Sequence, residues 1–220
     1  RLVRYARGDP RKLLWVARRA VNLAREGAIG GVLERHAAEE VAYADYAEWC
    51  TRFEAADGAE FSARTNALPR RPLISILLPV WNPPVPFLAQ TIASVRAQGY
   101  PDWELCIVDD ASTDPEVRAC LAREASGDAR IRVARRDANG GIARATNDAL
   151  ASAKGEYCAF LDHDDLLAPD ALLRLAEDIA SHPDAALLFS DEDKLDDSGR
   201  RRLPFFKPAW DGEWVRTTNC

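Results

Sequence analysis

Methionine is absent from the 220 residues, and the five cysteines, Cys50, Cys106, Cys120, Cys158 and Cys220, are scattered without a C-x-x-C pair. Cys106 and Cys158 lie inside apolar runs, where a thiol behaves as a small hydrophobe. This usage argues against a zinc site and reads as reduced thiols in a cytoplasmic protein. No stretch approaches the roughly eighteen consecutive apolar residues that span a bilayer, and no signal peptide opens the chain. Two nucleotide-binding signatures are missing as well. The first strand-like run is followed by Pro79-Val-Trp-Asn-Pro-Pro84, which has no glycine, so a G-x-G-x-x-G turn is excluded there, and no G-x-x-x-x-G-K-[ST] occurs. The chain is neither a standard dehydrogenase nor a P-loop enzyme. It starts at Arg1 and stops at Cys220 without a polar tail, which reads as a piece of a longer protein.

Hydrophobic residues make up 47% of the chain, enough for a sizeable core. The net charge of −6 hides an asymmetry: residues 1–36 carry nine Arg or Lys against three Asp or Glu, leaving residues 37–220 at −12. The basic stretch suits peripheral contact with the inner face of the cell membrane, or with a neighbouring domain. The acidic remainder argues against nucleic-acid binding.

Residues 1–68 read as a helical arm with a linker. Leu14, Ala17, Val21 and Ala24 recur at helical spacing over residues 12–25, with Arg18 and Arg25 on the other side. A second helical stretch is expected over residues 32–54, and Gly58, Ser62, Asn66, Pro69 and Pro72 mark residues 56–72 as linker. From Leu73 onward the pattern changes to short apolar runs alternating with helix-period stretches. Strands are expected at 73–78, 103–108, 131–134, 157–161 and 185–189. Helices are expected at 87–98 (with Gly99 as C-cap), 115–126, 141–153 and 169–182. Such alternation implies an α/β fold, Rossmann-like, with a mostly parallel sheet over residues 69–220.

In open α/β sheets ligands bind beyond the carboxyl ends of the strands. Read in order, those ends are Pro79-Val-Trp-Asn82, Asp109-Asp110, Asp162-His-Asp-Asp165 and Ser190-Asp-Glu-Asp193. Carboxylates brought together repel one another unless a cation neutralises them. The spacing Asp162-x-Asp164 lets two of them reach one centre, and oxygen ligands suit magnesium or manganese. A solvated acidic turn before the helix near Pro169 is the plainer alternative. The glycine pair in Asn139-Gly-Gly-Ile-Ala-Arg-Ala-Thr-Asn147 stands at a helix entrance, where backbone amides can face an anion.

Four of these segments, Leu73-Ile-Ser-Ile-Leu-Leu-Pro-Val-Trp-Asn82, Val108-Asp-Asp-Ala-Ser-Thr-Asp114, Asn139 to Asn147 and Phe160-Leu-Asp-His-Asp-Asp165, together resemble glycosyltransferase family 2 in order and spacing. Ser190-Asp-Glu-Asp-Lys194 and Phe206-Lys-Pro-Ala-Trp210 further resemble a bacterial branch associated with O-antigen and other envelope polysaccharides. The resemblance implies a GT-A fold and an inverting transfer of a sugar from a UDP, dTDP or GDP donor to a saccharide or lipid-linked acceptor. It implies that Pro79, Val80, Trp81 and Asn82 line the nucleotide slot, that Asp110 accepts the base imide N–H, and that Asp109 supports that loop. Gly141, Arg144 and Asn147 would contribute to nucleotide binding. Asp162, His163 and Asp164 would form the DXD motif, Asp164 and Asp162 serving the metal and Asp162 and His163 lying near ribose and diphosphate. Asp191 and Glu192 would lie near sugar or acceptor. In that family the catalytic base lies further downstream, so the segment is expected to keep the donor site and lack the base. Asp211 and Glu213 do not resemble the base motif.

Two other readings compete. A haloacid-dehalogenase-like phosphatase also places Asp-x-Asp after an apolar strand, with Lys194 available to steady a phosphoaspartate, but there the motif ends the first strand. A non-catalytic module organising an assembly through the helical arm is the second.

Overall fold

The computed structural model describes residues 46–51, 58–196 and 198–207 of the chain. The amphipathic helix expected over residues 12–25 lies outside the described residues, as do most of the second arm helix, Trp210, Asp211 and Glu213. Residues 46–51 are helical, within the second stretch. The chain divides into two compact units, residues 56–186 and residues 1–55 with 187–220.

The 56–186 unit contains α1 (Gly58–Ala67), β1 (Ile74–Val80), α2 (Val85–Arg96), β2 (Trp103–Asp109), α3 (Pro115–Gly127), β3 (Ile131–Arg135), α4 (Ile142–Ser152), β4 (Tyr157–Phe160) and α5 (Ala171–Ser181). The four strands form one parallel sheet in the order β3-β2-β1-β4. Strand alternation divides the core in two. Ile74, Ile76, Leu78 and Val80 of β1 join Leu105 and Ile107 of β2 under α2, α3 and α5, which contribute Leu88, Ile92, Leu121, Leu172 and Ala176. Leu77, Cys106 and Val108 face the other way, against Ala145 and Ala149 of α4. A right-handed crossover places its helix on a face set by the direction of travel across the sheet. The chain steps from β1 to β2 to β3, then reverses to reach β4, so α4 covers the opposite face. The reversal puts the topological switch point, where such sheets bind ligands, between the carboxyl ends of β1 and β4.

Pro79 was expected to stop the first strand, yet β1 runs through it to Val80. Proline cannot donate to a ladder. Leu77 O accepts from Leu161 N, so the odd residues of β1 address β4, whose pairing ends at the Leu77–Phe160 register. Pro79 lies past that last rung, where no donor is required.

Three further expectations are corrected. Residues 58–67, taken for linker, form α1: Arg64 donates to Glu177 at 2.9 and 2.8 Å, and Phe61 packs on the main core. Gly99 is not a left-handed C-cap. The cap is Ala97, and a Cβ at Gly99 would meet the Phe61 ring at 2.4 Å, so the glycine makes room for α1. Residues 185–189 carry no strand. The remaining strands are β5 (Glu192–Leu195) and β6 (Arg201–Phe205), an antiparallel pair of the other unit. An apolar run becomes a strand only where a ladder partner takes its backbone groups.

Candidate functional site

The carboxyl ends of β1, β2 and β4 and the start of α4 carry the donor-site residues of the sequence reading, within the 56–186 unit, whereas Asp191 and Glu192 lie in the other. Val80 belongs to the core at 1% exposure, and Pro79 is also buried. Trp81 is exposed at 55%, and Asn82 after it is exposed as well. Asn82, in the left-handed region at φ 46°, is a cross-brace. Its amide N–H donates to Ser112 Oγ at 3.0 Å, and its Oδ1 accepts from Thr113 N and Asp114 N at 2.9 and 3.2 Å. The brace joins the β1 loop to the β2 loop, whose Asp114 in turn caps α3 through Glu116 N at 2.8 Å.

Asp109 and Asp110 are spent on local structure. Asp109, 1% exposed, accepts from Ser112 N at 2.8 Å and from Arg135 Nε at 3.0 Å. Asp110, 2% exposed, accepts from Gly140 N at 2.9 Å and Gly141 N at 2.8 Å, so it holds the turn that begins α4. Arg136 Nε lies 2.8 Å from Asp110 Oδ1 as an ion pair without hydrogen-bond alignment, and the same guanidinium pairs with Asp148. A carboxylate has about four lone-pair directions. Those of Asp110 are largely taken, and another donor enters only where Arg136 gives way. Gly141, at φ 85°, is the N-cap of α4 and is one of the positions where the backbone demands glycine. Arg144 and Asn147 are exposed on the first two turns of that helix.

Asp162 and Asp164 are different. Both are exposed, in the loop between β4 and α5, and no hydrogen bond or ion pair engages either carboxylate among the described residues. The turn is closed by Asp165 N donating to Asp162 O at 3.2 Å, and His163 between them is half-buried. No group of three or more candidate metal ligands forms among the described residues. The donor set still suits a hard cation that arrives with a diphosphate, because magnesium-type ions take one or two protein carboxylates and complete their shell with phosphate and water.

Asp191 and Glu192 belong to the 187–220 part. Asp191 Oδ1 accepts from Lys207 N at 2.7 Å, and the buried Lys207 Nζ lies 3.2 Å from Glu192 Oε2. Burial pushes the Asp191 carboxyl up, against the Lys207 amide and charge. The sequence reading gave Lys207 no role of its own, since its pairing depends on the β5–β6 hairpin, and it missed Thr91 and Ser94 on α2 and Gln98 just after it, which hold the loop after β4.

Comparison with known proteins agrees with these motifs. The model of the family Glycosyl transferase family 2 matches residues 75–216. An uncharacterised protein of Sinorhizobium fredii is 47% identical over 72% of this chain and 18% of its own length. The O-antigen biosynthesis protein RfbC of Myxococcus xanthus is 42% identical over 80% of this chain and 14% of its own. The chain thus spans less than a fifth of these two relatives. Among solved structures, that of S. aureus TarS with UDP is 27% identical, covering 50% of this chain and 32% of its own at a TM-score of 0.46. With a family match over well more than half of its residues, this chain belongs to glycosyl transferase family 2.

Proposed function

We propose that the chain forms the donor-binding part of an inverting, divalent-metal-dependent glycosyltransferase. It would move a sugar from a nucleoside-diphosphate donor to a saccharide or lipid-linked acceptor in envelope polysaccharide synthesis. The observation that carries this reading is the contrast among four strand-end aspartates. Asp109 and Asp110 are committed to holding their loops, whereas Asp162 and Asp164 stand exposed and, among the described residues, unengaged beside the β1–β4 switch point. Relatives named for O-antigen and teichuronic acid biosynthesis support the polysaccharide part.

In this reading Trp81 offers a face on which a base stacks. Asp110 accepts the base imide N–H once Arg136 swings towards Asp148. The Gly140–Gly141 turn presents the amino end of α4, with Arg144 and Asn147, towards the anionic end of the donor. Asp164 and Asp162 hold the magnesium or manganese ion, and His163 lies near the diphosphate. When bound, the ion neutralises the diphosphate and stabilises it as a leaving group. The acceptor-side role of Asp191 and Glu192 is part of the same proposal, and no catalytic base is assigned among the described residues.

A thermal-shift titration with UDP, dTDP and GDP, each with and without manganese, tests the reading. A ligand at a hundred times its dissociation constant adds about 2.7 kcal/mol, which raises the midpoint of a chain this size by roughly 5–11 °C. The expected result is a shift that needs both manganese and one nucleotide. Equal shifts with and without manganese would remove the metal role.

A further inference from the structure

Between β4 and α5 the chain runs from Leu161 to Asp170 without regular structure, and this stretch carries both unengaged carboxylates. On its β4 side it is tied by Leu161 N to Leu77 O at 3.1 Å. Further attachments come from α2 and from the residues just after it. Thr91, fully buried, donates its hydroxyl to His163 O at 3.0 Å. Ser94 Oγ accepts from Leu167 N at 3.1 Å and donates to Thr91 O at 2.7 Å. Gln98 donates to Ala168 O at 2.7 Å and accepts from Leu172 N at 3.0 Å. Gly99 N donates to Pro169 O at 2.8 Å. Thr91 and Ser94, three residues apart, share one face of α2, and Gln98, just past the end of the helix, extends the stripe. That stripe faces the acidic loop instead of water.

Within it Thr91 has a separate place. Ser94 and Gln98 hold residues 167–172, at the entrance to α5, whereas Thr91 holds the carbonyl of His163, which lies between the two carboxylates. Fixing that carbonyl fixes the plane of the peptide joining His163 to Asp164, because the peptide unit is rigid. It therefore sets the direction in which Asp164 leaves the backbone relative to Asp162. Outer groups that orient metal ligands commonly govern affinity as strongly as a weak ligand does.

We propose that Thr91 is a positioning residue for divalent-cation binding by Asp162 and Asp164, acting through the His163 carbonyl. This rests on the reading that those two aspartates take the cation shared with the nucleoside diphosphate. Thr91→Val keeps the branched shape and removes the hydroxyl, and Thr91→Ser keeps the hydroxyl and removes the methyl.

The test uses the full 220-residue chain. Manganese is titrated at a saturating level of whichever of UDP, dTDP or GDP the wild type binds, and free manganese is read by electron paramagnetic resonance. Ligand-free melting is recorded in parallel. Thr91→Val is expected to weaken manganese binding about tenfold, while Thr91→Ser stays within about twofold of wild type. Affinity for the nucleotide without metal should be the same in all three. If Thr91→Val does not fold, Thr91→Ser against Thr91→Ala makes the same comparison without the methyl. Folded variants lacking the hydroxyl that bind manganese like wild type would overturn the positioning role alone. A wild type that binds no manganese with any of the three nucleotides would overturn the cation reading itself, and the positioning role with it.

Discussion

Residues of one type at one edge of the sheet behave in two ways, and substitution separates them. Asp164→Ala removes an exposed carboxylate with no partner among the described residues, so stability should change by no more than about 0.5 kcal/mol, while the manganese-dependent nucleotide shift disappears. Asp110→Ala removes the acceptor of two glycine amides and one of the two carboxylates with which Arg136 pairs. That should cost about 2–3 kcal/mol, visible in urea unfolding without any ligand. Ala111 stands at φ 62° without the local hydrogen bonding that lets asparagine accept this region. Ala111→Gly is therefore expected to raise stability by up to about 1 kcal/mol, and a lower melting midpoint would refute the strain. The strand-end aspartates were legible because an apolar run that stops on an acid names its own carboxyl end. The division of labour among them was not, since it depends on partners such as Arg135, Arg136 and Gly140, which lie some 26 to 30 residues along the chain. Asn82 shows the same limit: it reads as a slot residue, and its brace to Thr113 spans 31 positions.

Elements were legible where a periodic run ends on punctuation. The helices after β1, β2, β3 and β4 fall close to their expected positions, because Pro84, Asp114, Gly141 and Asp170 each mark a start. α1 was not legible, because its glycine, serine and asparagine resemble a linker and its anchors, Gly99 and Glu177, are distant in sequence. Thr91, Ser94 and Gln98 escaped notice for a related reason, as polar residues on an amphipathic helix read as its wet side. At the opposite end of the sheet two close fits make predictions. A Cβ at Gly155 would lie 2.6 Å from Ser75 N and 2.7 Å from Leu73 O, both backbone atoms, so Gly155→Ala should cost about 1–3 kcal/mol in urea unfolding. Glu104 lies beside it. Burial by itself raises its carboxyl, but the Ser75 hydroxyl, the Lys154 amide and the Arg132 guanidinium together hold it below its ordinary 4.5. A depressed carboxyl contributes stability above the unfolded value and loses it as pH falls through the folded one. The stability difference between wild type and Glu104→Gln should thus be full near about pH 7 and shrink below about pH 4.5. A difference independent of pH would show that the charge contributes nothing.

For the whole molecule, the division into two compact units has a direct consequence: every residue assigned to the donor, from Pro79 to Asp164, lies in residues 56–186. Produced alone, that unit has its own two-sided core and should unfold cooperatively, and it should keep the manganese-dependent response to one nucleoside diphosphate. A cooperative fragment with no response would assign part of the donor site to the other unit. The sheet order also bears on handling. β4 is four residues long, it pairs on one side only among the described residues, and Phe160 at its end is 72% exposed. An edge unpaired among the described residues, with an exposed phenyl ring, is a template for a second strand. Concentrated solutions should scatter light increasingly with storage, and Phe160→Lys, a charge at the edge, is the change that should keep them clear.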